Sequence, residues 1–225
     1  MTPEGSLEPL PDRRTAGERL AARLIGYRTQ DPVVVALPRG GVPVAAEIAT
    51  RLDAPLDILI VRKIGAPGNP EYGLGAVVEG GTRFLDEPRV RAAGYTVRDL
   101  GRTIAREVAE VERRAREFRA GRPPVEVKDR TVILVDDGVA TGGTVLAALR
   151  ALRARSPRRV VVALGVAPAD TVESLRSEVD DLVVLLAPTM FFAVGEWYHQ
   201  FSQVSDEEVH QFLERFWGIS TTSPR

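Results

Sequence analysis

Residues 132–144 bring acidic, hydroxyl-bearing and glycine residues together directly after a hydrophobic run. The segment reads Val-Ile-Leu-Val-Asp-Asp-Gly-Val-Ala-Thr-Gly-Gly-Thr: a hydrophobic run, two acids, and a glycine-rich turn into a helix. Such a turn presents unpaired backbone N–H groups and the positive end of a helix dipole, which suit a phosphate. Asp136 and Asp137 can accept hydrogen bonds from vicinal hydroxyls or from water molecules on Mg²⁺. Phosphate, diol and metal together describe a phosphorylated ribose.

This segment resembles the motif with which type I phosphoribosyltransferases bind 5-phosphoribosyl-1-pyrophosphate (PRPP). A generic phosphate loop and a response-regulator-like acidic cluster are the alternatives, but neither a Gly-Lys-Ser/Thr nor a Gly-x-Gly-x-x-Gly pattern supports them here. The resemblance implies that Asp136 and Asp137 hold the ribose hydroxyls. It assigns the 5′-phosphate to Gly138, Val139, Ala140, Thr141, Gly142, Gly143 and Thr144.

Two earlier segments extend the resemblance in the expected order. Pro38, Arg39, Gly40 and Gly41 follow a hydrophobic strand and look like the pyrophosphate loop of the family, in which a non-proline cis peptide is common. The Pro38–Arg39 bond is the candidate for that peptide; an ordinary Gly-Gly turn is the alternative. Arg62 and Lys63 resemble the basic pair that grips pyrophosphate, with a solvated pair at a strand end as the alternative.

The segment 62–81 is rich in glycine and proline, so we interpret it as a long functional loop. Within it, Gly65–Gly75 resembles the mobile loop that closes over the family's site and excludes water. We therefore expect this loop to be poorly ordered without ligand.

The implied reaction is displacement of pyrophosphate from C1 of PRPP by a nitrogen nucleophile. The residues expected to act in it are Asp136, Asp137, Arg39 and Lys63. Mg²⁺ would arrive with PRPP, without direct protein ligands and with the two aspartates contacting its water molecules. His199 and His210 lie in the aromatic C-terminal part, where packing or surface roles are favoured over catalysis.

The acceptor is predicted to be a small heterocycle, but not a 6-oxopurine. Members that use oxopurines commonly carry an aspartate where this chain has Ala140, and alanine cannot accept a proton. Adenine-type members share the alanine but usually have a larger residue in place of Gly138. We expect Phe192 and Trp197 to stack on the acceptor; the alternative is that these aromatic side chains only close the core.

Two other functions remain open at this stage. A regulator that senses PRPP or a nucleotide could use the same fold and bind RNA, DNA or a protein, whereas a hydrolase or kinase of phosphorylated sugars lacks a recognisable motif. Lys and Arg total 30 against 31 Asp and Glu, and the arginines near residue 110 alternate with glutamates, which argues against nucleic acid. A homodimer is one option for the assembly.

The elements that position these residues alternate between strands and helices, which predicts an α/β fold with a doubly wound, mainly parallel sheet. Hydrophobic runs predict strands at 33–37, 56–61, 131–135, 159–166 and 182–186. Helical spacing predicts helices at 15–27, around Pro43, over 97–118, and from about Gly143 and Ala169. The expected organisation is a flexible tail (1–12), a PRPP-binding core (13–186) and an aromatic hood with a terminal helix (187–225).

The composition limits the chemistry and the location. Cysteine is absent, which excludes disulfides, thiolate metal sites and cysteine nucleophiles and suits the cytoplasm. We find no apolar run near Met1 long enough for a signal peptide or membrane span.

Overall fold

The computed structural model describes residues 7–218, so the predicted tail residues 1–6 and the hood residues 219–225 lie outside the described part. A five-stranded sheet forms the centre, with strand order β2-β1-β6-β7-β8 and every neighbouring pair parallel. Its strands are β1 (Pro32–Ala36), β2 (Leu56–Ile58), β6 (Thr131–Gly138), β7 (Arg159–Val166) and β8 (Asp181–Leu186). The predicted α/β class with a mainly parallel sheet is confirmed.

Seven α-helices are present in the described residues, and several begin at a side-chain cap. Asp12 accepts from the N–H of Thr15 at 2.7 Å, while Ser205 and Glu208 form a reciprocal capping box. The helices are α1 (Arg13–Leu24), α2 (Gly41–Leu52), α3 (Glu87–Ala92), α4 (Gly101–Arg119), α5 (Gly143–Arg153), α6 (Ala169–Arg176) and α7 (Asp206–Trp217). Short 3₁₀ turns cover Ile25–Tyr27 and Val194–Trp197. None of the helices in the described range is long and apolar enough to cross a membrane.

The central strands are buried on both faces, which explains their continuous hydrophobic runs. In β6, Ile133 and Val135 join the core beneath α1 and α2, whereas Val132 and Leu134 join the core beneath α5. The same alternation continues to the end of β6, so the side chains of Asp136 and Asp137 leave the strand on opposite faces of the sheet.

The segment predicted as a long loop is instead part of a small antiparallel sheet. Its strands are β3 (Val61–Ala66), β4 (Asn69–Val78) and β5 (Arg83–Leu85), in the order β3-β4-β5. The register shifts on either side of Gly65, which is a bulge rather than a break in the pairing. Glycine lowers strand propensity but does not prevent pairing where hydrophobic neighbours anchor the strand, so the expectation of a loop was wrong.

The N-terminal segment also differs from the expected flexible tail. Leu10 is fully buried, and its backbone N–H donates to the carbonyl oxygen of Trp197 at 2.8 Å. In return the N–H of His199 donates to the carbonyl oxygen of Leu10 at 2.8 Å. Leu10 is a single hydrophobic residue among polar neighbours, so the sequence did not indicate its burial. Its contacts hold the last residues before α1 against the hood.

Candidate active site

The loop after β1 and the acid pair at the end of β6 lie side by side. The N–H of Leu37 donates to the carbonyl oxygen of Val135 at 2.9 Å, which keeps the two neighbouring strands paired to their carboxyl ends. Gly40 has no room for a side chain, because a Cβ there would collide with the Asp137 carboxylate. The Pro38–Arg39 peptide is cis, as predicted from the sequence. The structure therefore brings the predicted pyrophosphate loop against the predicted ribose-binding acids.

The turn between β6 and α5 has the backbone geometry of an anion site. Gly142 adopts a left-handed conformation with φ of 70° and lacks a side-chain cap, and the N–H of Leu146 makes the first bond of the helix at 2.9 Å, to the carbonyl oxygen of Gly142. The N–H groups of the first helical turn are thus available to a ligand. Thr171 fixes the turn from outside, because its hydroxyl donates to the carbonyl oxygen of Ala140 at 2.8 Å.

A cleft of about 840 Å³ separates this turn from the small sheet. Ala140, Thr141 and Gly143 line one side, and Lys63 lines the other. Lys63 is thereby placed on the same cleft as the predicted phosphate loop.

Arg62 does not share the position of Lys63. Its Nε donates to Oε2 of Glu107 in α4 at 3.0 Å, and the Glu107 side chain is 6% exposed. Adjacent residues of a strand point to opposite faces, so the side chains of Arg62 and Lys63 leave β3 on opposite sides. This arrangement does not favour the prediction that both contact one pyrophosphate, because Arg62 joins β3 to α4.

Arg39 projects from the loop after β1 towards the start of α7. Its Nη1 lies 3.4 Å from Oδ1 of Asp206, and both side chains are partly exposed. An ion pair of this kind in contact with solvent contributes about 0–1 kcal/mol, so an anionic ligand could compete for the guanidinium.

The two acids have different partners. Oδ2 of Asp137 accepts from Nε of Arg13 at 2.7 Å, and its carbonyl oxygen accepts from the Tyr198 hydroxyl at 2.6 Å. Asp136 makes its hydrogen bond with the N–H of Asp137 at 2.9 Å. Burial, together with the negative charge of Asp137, raises the pKa of Asp136 well above its ordinary value. Burial also raises the pKa of Tyr198, so its hydroxyl stays a donor.

Arg13 and Tyr198 escaped the sequence analysis. Arg13 is 124 residues from Asp137, and no local pattern links them. Tyr198 belongs to the aromatic C-terminal segment, but only the fold shows that its hydroxyl donates to the carbonyl oxygen of Asp137.

The predicted acceptor residues are not brought together. Phe192 is 80% exposed, whereas Trp197 packs in a cluster with Leu10, and its Nε1 is buried without a hydrogen-bond partner in the described residues. Neither residue lines the 840 Å³ cleft. A Cβ on Gly138 would lie 2.6 Å from Cγ1 of Val194, so the hood packs directly on this part of the turn.

The histidines lie where the sequence suggested. His199 is exposed. His210 lies between helices, with Nε2 3.0 Å from the carbonyl oxygen of Glu117 and its ring 5.4 Å from that of Phe118. His210 thus joins α7 to the end of α4.

Comparisons with known proteins cover nearly the whole chain. The family described as the phosphoribosyl transferase domain matches residues 5–201. A Mycobacterium tuberculosis protein with a provisional phosphoribosyl transferase name is 43% identical over 204 residues, or 91% of this chain and 46% of the relative. The chain therefore spans about half the length of that relative. TT1426 from Thermus thermophilus has a crystal structure with a TM-score of 0.80 and 45% identity, covering 92% of this chain and 99% of that one.

Proposed function

Because the chain belongs to the phosphoribosyl transferase domain family and has the type I phosphoribosyltransferase fold, we propose that it transfers the 5-phosphoribosyl group of PRPP to a nitrogen acceptor, with release of pyrophosphate. The observation that carries the proposal is the convergence of three parts at one sheet edge. These parts are the loop Pro38–Gly41, the acid pair, and the uncapped start of α5. Their order matches the three parts of PRPP: pyrophosphate, ribose and 5′-phosphate.

In this proposal the turn 138–144 binds the 5′-phosphate through backbone N–H groups and the hydroxyls of Thr141 and Thr144. Asp136, whose carboxylate is not engaged by a basic side chain in the described residues, accepts from a ribose hydroxyl. The loop after β1 would contact the pyrophosphate beside the acids, and Lys63 would reach it from the wall of the cleft opposite the turn. Asp137 completes the pair, but Arg13 already holds one of its oxygens.

The proposed transfer does not require a covalent bond between the protein and the substrate. The bond from C1 to the pyrophosphate oxygen breaks, the bond from C1 to the acceptor nitrogen forms, and charge grows on the leaving pyrophosphate. Lys63 and Arg39 would stabilise that charge, and the acids would orient the ribose. Closure of the small sheet over the cleft would exclude water.

The residues present fit a Mg²⁺ ion that arrives with its substrate. The described residues contain no cluster of three or more His, Asp or Glu side chains that could form a metal cage. A hard cation held by pyrophosphate oxygens needs only water-mediated protein contacts, and Asp136 offers a carboxylate for them. The ion, when bound, would supply charge neutralisation at the pyrophosphate.

The acceptor proposal follows from Ala140 and Gly138. Ala140 cannot accept a proton from a purine nitrogen, so we propose that 6-oxopurines are poor acceptors. Val194 occupies the space above Gly138 that the larger residue of adenine-type members would need, so the similarity to those members is partial. Phe192, exposed at the edge of the hood, is one aromatic side chain that could cover an incoming heterocycle.

The test combines binding with turnover. Calorimetric titration with PRPP should show binding that requires Mg²⁺, and a panel of adenine, orotate, uracil and the three oxopurines should show pyrophosphate release with a non-oxopurine. Asp136→Asn should weaken PRPP binding at least about tenfold, as expected for a lost charged hydrogen bond. Absence of PRPP binding would overturn the proposal. PRPP binding without release of pyrophosphate on any acceptor would instead indicate a sensor.

A further inference from the structure

Arg13, the first residue of α1, connects the acid pair to the hood. Its Nε donates to Oδ2 of Asp137, and its Nη1 donates to the carbonyl oxygen of Ser202, each at 2.7 Å. The guanidinium carbon lies 3.8 Å from the centre of the Phe201 ring. The side chains of Arg13 and Asp137 are only 12% and 11% exposed. One buried guanidinium thus contacts the end of β6 and two consecutive hood residues.

These contacts leave the Asp137 carboxylate little freedom. The guanidinium is a planar fork whose donors have fixed directions, so contacts to Asp137 and Ser202 together set its orientation. The backbone of Gly40 also lies close to this carboxylate, because a Cβ there would collide with Oδ2, the oxygen that accepts from Arg13. The carboxylate is therefore in contact with both Arg13 and the loop predicted to bind pyrophosphate.

A second set of contacts joins the same parts. The Tyr198 hydroxyl donates to the carbonyl oxygen of Asp137 at 2.6 Å, and the Tyr198 ring stacks on Phe201 at 5.0 Å. Backbone hydrogen bonds of Leu10 with Trp197 and His199 join the N-terminal segment to the same part of the hood. Displacement of the hood would consequently disturb Asp137 through both its side chain and its backbone.

We propose that Arg13 is a positioning residue of the active site: it holds the Asp137 carboxylate against the Pro38–Gly41 loop and couples the acid pair to the hood. Its effect on PRPP rests on the proposed function, whereas its effect on the hood does not. This coupling matters for function, because an acceptor that orders the hood would also fix the position of the acids that hold the ribose.

The primary test compares Arg13→Met with Arg14→Met. Methionine keeps most of the apolar stem and removes the donors. Arg14 is the matched control, since it is adjacent, 74% exposed and paired with Glu18 on the surface. In the ligand-free protein, Arg13→Met should speed hydrogen exchange of the His199 and Gln200 amides at least about tenfold, while Arg14→Met leaves them within about twofold.

The second measurement is PRPP affinity with Mg²⁺. Arg13→Met should weaken it at least about tenfold, as a lost charged hydrogen bond does, and Arg14→Met should not change it. In an Asp137→Asn background, adding Arg13→Met should change the affinity by less than about twofold, because the partner is already altered. Arg13→Lys, which keeps the charge, should lie between the wild type and the methionine variant in both measurements, and it replaces Arg13→Met if that variant does not fold.

Three results would overturn the inference: unchanged PRPP affinity in Arg13→Met, an equally large loss when the change is made in Asp137→Asn, or a lysine variant as impaired as methionine. If wild-type protein does not bind PRPP, the proposed function fails separately. Hydrogen exchange then decides the coupling alone: unchanged exchange in Arg13→Met would refute it.

Discussion

Lys63 and Arg62 are neighbours in β3, yet their side chains lie on opposite faces of the small sheet. Lys63 pairs in register with Ala76 and lines the cleft beside the phosphate turn, whereas Arg62 pairs with Val77 and contacts Glu107. One face of this sheet packs towards α5 and the other towards α4. Position on the pleat therefore separates the lysine that lines the cleft from the arginine that binds Glu107.

Substitution of Lys63 by Met is expected to lower turnover at least about tenfold, because a charged contact to pyrophosphate is lost. Its effect should fall on kcat more than on the affinity for ribose 5-phosphate, which lacks the pyrophosphate. Arg62→Met is the control: it should reduce the free energy of unfolding while kcat per folded molecule is unchanged. Equal losses of turnover in both variants would contradict the division.

The raised pKa of Asp136 makes a prediction about stability and pH. An acid whose pKa is higher in the folded than in the unfolded state stabilises the fold when protonated, and that contribution is lost as the pH rises through the folded-state pKa. Asp136→Asn should therefore be more stable than the wild type at neutral pH, and the difference should shrink as the pH falls towards 3.8. Urea unfolding across this range measures it.

Gly138→Ala should destabilise the protein by about 1–3 kcal/mol through overpacking. The added Cβ would lie 2.6 Å from Cγ1 of Val194 and 2.7 Å from Cγ1 of Val166. Adding Val194→Ala should recover part of the loss, as urea unfolding of the single and double variants would reveal. Gly26→Ala, where a Cβ meets nothing within 4 Å, is the control for the substitution itself. An unchanged free energy of unfolding in Gly138→Ala would show that the hood is not tightly packed against the turn.

Arg119→Met is expected to lower the free energy of unfolding by about 3–5 kcal/mol, because it leaves buried carboxylates without a partner. Arg119 contacts Glu79 through Nε and Asp57 through Nη1 at 2.7 Å, and all three side chains are less than 10% exposed. Arg116→Met, one turn earlier and exposed, should change the free energy of unfolding by no more than about 0.5 kcal/mol. Similar denaturation midpoints for the two variants would mean that the ion cluster does not hold β4 to β2.

Hydrogen exchange can divide the small sheet into a stable base and a mobile tip. Amides of Ala76 and Val78, in the buried and paired part of β4, should exchange slowly without ligand, whereas those near the Gly68 turn should exchange fast. On addition of PRPP the tip should slow if it closes over the cleft. Uniformly fast exchange from Gly65 through Gly75 would instead support the prediction, made from the sequence, that this whole segment is mobile without ligand.

Local sequence patterns predicted the parts of the site that are continuous in the chain. The hydrophobic run before Asp136 and the start of α5 at Gly143 depend on residues within a few positions of one another, whereas the cis bond before Arg39 was expected from the resemblance to the family. Periodicity and turn chemistry act over that range, so a single sequence suffices.

The misjudged parts depend on partners distant in the chain. The sequence did not predict which face of β3 Lys63 lies on, because its glycine-rich segment was interpreted as a loop. The glycines interrupt the alternation of polar and apolar residues that would have indicated a strand. Leu10 was overlooked because burial comes from the hood nearly 190 residues later. Arg13 resembled any other arginine at the start of a helix until the fold supplied its carboxylate.

The surroundings of Asp137 have a consequence for the order of biosynthesis. Its contacts come from Arg13, Gly40 and Tyr198, so its environment cannot be completed until the chain has left the ribosome at least as far as Tyr198. A nascent chain ending before Tyr198 could form the central strands and the phosphate turn, but its carboxylate would lack the hood above it. Full affinity for a ligand would therefore arise late in synthesis and serve as a sensitive sign that a molecule has matured.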